Sequence, residues 1–261
     1  MNETAAKRSD FRKRLAAGVF RLAAGALFLT AASETLRASE QTHVDVLELF
    51  TSQGCSSCPP ADALIQEISK REGVIALSLP VSYWDHLGWK DTLAKQDYNE
   101  RQRGYAEARG DRDIYTPQLV VNGIAHVVGS RRDAIDAALR STRRSLKSAW
   151  VAVSVRRDGD TLTVDTAGAP EGSAFRSGKL WLAAYSSSVT VAIGRGENHG
   201  RQVTYTNVVR TLTPVGAWNG EAASYTVKLP AGGSFDGCAV FLQADRSYAM
   251  LGAANLFMRA K

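Results

Sequence analysis

Apolar and polar positions change their period along this chain, and the change divides it. His43-Val44-Asp45-Val46-Leu47-Glu48-Leu49-Phe50 alternates and is rich in β-formers, which predicts a strand. Leu64, Ile65 and Ile68 then share one face of a helix running to about Arg71, and Gly73 to Val81 reads as a second apolar strand. Strand, helix, strand in that order predicts a parallel β-α-β unit. Residues 84–113 are polar, charged and helix-forming, and read as a helical insertion. Gln118 to Val121 and Ile124 to Val128 flank Asn122-Gly123, a hairpin signal. Ser130 stands three residues before Asp133 as a capping pair, and Ile135, Ala138, Leu139, Thr142 and Leu146 follow at helical spacing.

Beyond about residue 148 the period becomes two. Ala149 to Arg156 and Thr161 to Thr166 bracket an Asp158-Gly159 turn, and five further β-rich runs follow: Leu180 to Tyr185, Val189 to Ile193, Tyr205 to Leu212, Tyr225 to Leu229 and Cys238 to Gln243. Short strands with frequent turns and no helical period predict a β-sandwich. The expected organisation is an α/β domain over 39–147 and an all-β, sandwich-like domain over 148–261.

Composition alters this picture at the amino terminus. The 261 residues carry 32 Lys+Arg against 26 Asp+Glu, a formal net charge of +6. Residues 1–37 account for +4 of it, so the remainder is close to neutral. A basic stretch from Lys7 to Arg14, an uninterrupted apolar run from Leu22 to Ala32 and small residues near Ala38 have the layout of an export signal. That run of 11 residues is too short to span a bilayer. The expectation is a cleaved signal peptide over 1–38, a periplasmic or secreted protein and no stable membrane insertion. Arg131, Arg132, Arg140, Arg143 and Arg144 form a basic stripe without interleaved aromatics, and no nucleic-acid motif accompanies it. No nucleic-acid partner is expected.

The chemistry concentrates in three cysteines, Cys55, Cys58 and Cys238. Cys55-Ser56-Ser57-Cys58 lies between a strand and a helix start marked by Pro59-Pro60. Unpaired N–H groups and the positive helix end favour thiolate there, and thiolate is the nucleophile of disulfide exchange. The second cysteine is placed to attack a mixed disulfide and release the partner. Other readings are a structural disulfide, a soft-metal site such as Cu(I) on two thiolates, and zinc, for which two of the four usual ligands are missing. Cys238, in an apolar strand, reads as a buried, inert thiol. Gly194 to Gly200 is glycine-rich but lacks the following helix of a phosphate cradle, so it reads as a tight interstrand loop.

A β-α-β-β-α order with Cys-x-x-Cys after its first strand resembles the thioredoxin fold. Longer motifs narrow the likeness: Glu48 to Asp62, Tyr83 to Trp89, Tyr115-Thr-Pro-Gln118 with Val121-Asn-Gly123, and Gly196-Glu-Asn198. Together they resemble a family of secreted bacterial thioredoxin-like proteins known as a domain of unknown function. The resemblance implies catalytic Cys55 and Cys58 forming a redox-active disulfide without further cofactor or metal, and a protein thiol or disulfide as partner. It also implies substrate contact at Thr116-Pro117, which would match the Thr-cis-Pro loop of that fold. Trp84, beside Tyr83 and Trp89, is a candidate substrate contact. The chain departs from the family at Pro80-Val81-Ser82, where His-Val-Asp is expected; Asp85 and His86 are the nearest replacements. The functions that follow are a thiol–disulfide oxidoreductase, or alternatively a copper-binding or delivery protein, or a non-catalytic binding module on the same fold.

Overall fold

The computed structural model describes residues 43–229 and 235–258; the segment read as a signal peptide lies outside them. The first strand, β1 (Asp45–Thr51), is buried along its whole length. Alternation sends Leu47 and Leu49 to one face and Val46 and Phe50 to the other. Helices α1 (Pro59–Ile68) and α3 (Arg132–Leu146) cover the first face through Ala61, Leu64, Ile65, Ile68, Ile135 and Leu139. Tyr98 and Tyr105 of α2 (Gln96–Arg109) cover the second. Each Leu or Ile buried in these layers contributes about 1.5–3 kcal/mol.

β1 pairs in parallel with β2 (Val74–Pro80) and antiparallel with β3 (Gln118–Val121), which turns into β4 (Ala125–Val128). The Asn122-Gly123 turn has positive φ at both residues, 48° and 74°. Gly123 also lies so close to the carbonyl of Tyr248 that no Cβ could be accommodated. The helical content of 84–113 is confined to a 3-10 turn at Asp85–Leu87 and to α2. The Ser130 cap does not form: Arg131 is the N-cap of α3 and no side chain closes that end. No described helix is long and apolar enough to cross a membrane.

The change of period at 148 marks the change from α3 to strands, β5 (Val153–Asp158) and β6 (Thr161–Thr166) being first. It does not interrupt the main sheet. β7 (Gly178–Ala192) and β8 (Gln202–Trp218) are single strands where shorter ones were expected, because Ser186-Ser187-Ser188 extends the ladder despite its polarity. With β10 (Gly237–Ala244) and β11 (Met250–Phe257) they complete an eight-stranded sheet, β11-β10-β7-β8-β2-β1-β3-β4. Strands β5, β6 and β9 (Ala223–Lys228) form a second, antiparallel sheet. Leu162 and Val164 of that sheet pack with Leu180, Leu182, Val240 and Leu242 of the large one, a sandwich-like pairing. The whole is a mixed α/β fold with one large sheet, compatible with a thioredoxin-like half continued by a β-rich half.

A buried ion pair stitches the halves together. Arg101 of α2 donates to Glu48 of β1 at 2.6 and 3.1 Å and to Gln243 of β10 at 3.3 Å. Its guanidinium also lies 5.1–5.5 Å from the ring centroids of Tyr105, Trp181 and Phe241. This satisfies two charges that burial alone would make costly.

Candidate functional site

After β1 the chain passes through Ser52-Gln53-Gly54 to Cys55, which is joined to Cys58 by a disulfide with Cα atoms 5.5 Å apart. Cys58 is the N-cap of α1, and its carbonyl accepts the N–H groups of Ala61 and Asp62 at 2.8 and 3.1 Å. Pro59 and Pro60 occupy the first turn, where their missing donors leave no gap in the helix ladder. Both cysteines are buried, at 2% and 0% exposure, whereas Ser56 and Ser57 between them are exposed. A partner would therefore meet the serine rim first.

Across from the disulfide, the Thr116–Pro117 peptide bond is cis. The Ser57 hydroxyl lies 3.4 Å from Cys55 Sγ and 3.5 Å from the Thr116 carbonyl oxygen, so one side chain spans the gap. The Trp84 indole N–H donates to Thr116 Oγ1 at 2.8 Å. Trp84 also packs on Gly54, where an added Cβ would stand 3.1 Å from the Trp84 Cβ. Cys55, Cys58, Thr116, Pro117 and Trp84 are thus brought to one place. Asp85 accepts the Asp91 N–H at 3.0 Å and His86 Nδ1 lies 2.8 Å from the Tyr83 carbonyl, so the bonds of both run within their own loop.

Behind the disulfide is a buried carboxyl. Asp62, one turn after Cys58 on α1, is 2% exposed. Its Oδ1 accepts the Thr51 hydroxyl at 2.8 Å, while Oδ2 has no partner. Desolvation pushes Asp62 up to about 8, against the Thr51 hydrogen bond and helped by the charge of Asp91. A protonated carboxyl fits the lone oxygen. Asp91 is also raised by burial, although it accepts N–H groups from Gln53, Leu93 and Ala94 at 2.8, 2.8 and 3.1 Å.

The loop between β7 and β8 closes the remaining side. The Asn198 amide donates to the carbonyls of Gln53 and Cys55 at 3.0 and 2.8 Å. Carbonyls only accept, which fixes the orientation of that amide. Beside it, the exposed Glu197 accepts the Ser56 N–H through Oε2 at 3.2 Å. Trp89 holds the loop from the other side: its ring lies against Gly194 and its Cβ against Gly196, and its indole N–H donates to Gln53 Oε1 at 2.8 Å.

Residues 46–243 match the family described as "Protein of unknown function (DUF1223)". The chain belongs to that family. A crystal structure of a protein from Agrobacterium tumefaciens is similar over 85% of this chain and 97% of that one, at 34% identity and a TM-score of 0.71. A shorter likeness, 43% identity over 37 residues, is to a protein of Archaeoglobus fulgidus named Probable Thioredoxin. It covers 14% of this chain and 41% of that protein, so the chain spans about two fifths of that relative's length.

Asp62, Asp91, Glu197 and Asn198 all fall within the DUF1223 match. The sequence reading assigned none of them a role at the cysteines. In the sequence Asp62 stands only as the end of the Glu48–Asp62 motif, and the Gly194–Gly200 loop is the interstrand loop expected, but one that reaches the cysteine turn. Cys238 is the free thiol expected, fully buried, with its pKa pushed up to about 11 by desolvation. Among the described residues, no group of three or more His, Cys, Asp or Glu is placed to hold a metal ion.

Proposed function

We propose that this protein is an exported thiol–disulfide oxidoreductase working through Cys55 and Cys58. The observation that carries the reading is the Cys55–Cys58 disulfide at the start of α1, facing the Thr116–Pro117 cis bond across Ser57. The short likeness to a protein named Probable Thioredoxin supports it.

In the dithiol form, Cys55 thiolate attacks one sulfur of a partner disulfide; that S–S bond breaks and a partner thiolate leaves. Cys58 then loses its proton and attacks Cys55 sulfur, closing the intramolecular disulfide and releasing the second partner thiolate. Two electrons pass to the partner, and the reverse sequence oxidises a partner dithiol. Thr116, held by Trp84, lies where its backbone can line up a partner segment. In the forward direction the leaving partner thiolate takes the Cys58 proton. Asp62, one turn from Cys58 on α1 and kept protonated by burial, is a proton donor for the Cys58 thiolate released in the reverse direction.

Single substitutions Cys55→Ser and Cys58→Ser test this. Each is expected to abolish turnover of a model protein disulfide, with Cys58→Ser alone accumulating a mixed disulfide. Unchanged exchange in both variants overturns the reading.

A further inference from the structure

Resting on the exchange reading, we propose that Glu197 is a positioning residue that withholds a turn N–H from Cys55 and adds a like charge beside the turn, biasing the couple toward the disulfide so that the protein donates electrons to its partners. A cysteine before a helix is ordinarily activated by the free N–H groups of the first turn. Here Pro59 and Pro60 remove two of them. The Cys58 N–H is directed to the Cys55 carbonyl at 3.2 Å. The Ser56 N–H is taken by the Glu197 carboxylate at 3.2 Å. That leaves Ser57, whose hydroxyl stands 3.4 Å from Cys55 Sγ and within reach of Thr116 as well.

Glu197 acts twice. It occupies a donor, and it sets a negative charge on the residue next to the cysteine whose sulfur must become negative. None of the ion pairs among the described residues involves Glu197, so its charge is not neutralised by a partner. Carboxyls also line the turn from behind: Asp91 on the Gln53 N–H with Asp85 beyond it, and Asp62 from α1, which burial keeps neutral. Nothing in this set favours a thiolate. A couple with a poorly stabilised thiolate favours its disulfide and is a reductant, the converse of an oxidant whose reduced form is stabilised. The position of Glu197 is fixed by its neighbour, because Asn198 anchors the loop on the Gln53 and Cys55 carbonyls.

The test is a thiol-trapping redox titration in glutathione buffers of the mature protein and its Glu197→Gln variant, with the pH profile of Cys55 alkylation by iodoacetamide. Removing an exposed like charge near the sulfur should shift the equilibrium toward the dithiol by about three-fold and speed alkylation near neutral pH by a similar factor. The gap should narrow as salt rises from about 0.1 to about 1 M, which screens charge and leaves a packing defect untouched. Glu197→Ala should give the same shift, which guards against a folding defect peculiar to glutamine. If both variants titrate with the wild-type midpoint and alkylation profile, the role of Glu197 is overturned. If the wild type never releases titratable thiols, the exchange reading itself falls.

Discussion

Asn198 donates its side-chain amide to the main-chain carbonyl of Cys55 at 2.8 Å, across 143 residues of chain. The same amide serves Gln53 at 3.0 Å, so a single side chain holds both ends of the turn that presents the cysteine. Asn198→Ala strands the Gln53 carbonyl and leaves that of Cys55 with the Cys58 N–H alone, and should lower the stability of the oxidised protein by about 1–3 kcal/mol in urea unfolding. Asn198→Asp should be worse, since a carboxylate would face two acceptors. A loss below about 0.5 kcal/mol for both would mean the turn holds itself.

Asp62 gives stability a pH dependence with a definite sign. Burial pushes its pKa in the folded protein up to about 8, above its unfolded value of about 3.9. The folded state therefore binds the extra proton between those limits. Stability from this group is complete below about pH 4 and is lost as pH rises through about 8. Urea midpoints for wild type and Asp62→Asn, compared from pH 5 to pH 8.5, should show the wild type falling relative to the variant. Parallel curves would remove Asp62 as the cause.

Trp84 separates recognition from chemistry. Trp84→Phe keeps an aromatic side chain and the Cβ against Gly54 and loses the 2.8 Å bond to Thr116 Oγ1. Freed from that restraint, Thr116 should position a protein segment less well. KM for a protein disulfide is expected to rise several-fold, while reaction with a small disulfide such as oxidised glutathione stays within about two-fold. Equal losses on both substrates would point to damage at the cysteines instead.

Local signals in the chain were legible because their physics is local. The period-two run of β1, the helical face of Leu64, Ile65 and Ile68, and Pro-Pro at the start of α1 each depend on neighbours within a few residues. The 250–257 strand was missed because Gly252, Ala253, Ala254 and Asn255 carry little β-propensity; it forms by pairing with β10. Asp62 shares its spacing with solvated helix positions, and only the packing of α1 on the sheet reveals it as buried. Asn198 and Glu197 could not be tied to Cys55 from spacing, since nothing local connects residues more than 140 apart.

The β7–β8 loop also imposes an order on biosynthesis. A growing chain exposes Cys55 and Cys58 long before Glu197 and Asn198 have been made, and the first cysteine chemistry takes place without them. On the Glu197 proposal, the couple met on the unfinished chain differs from the one the completed protein presents. A recombinant fragment ending before residue 194 would keep both thiols but lose β8, β10 and β11 of the main sheet together with the loop, so it would not stand in for the finished couple.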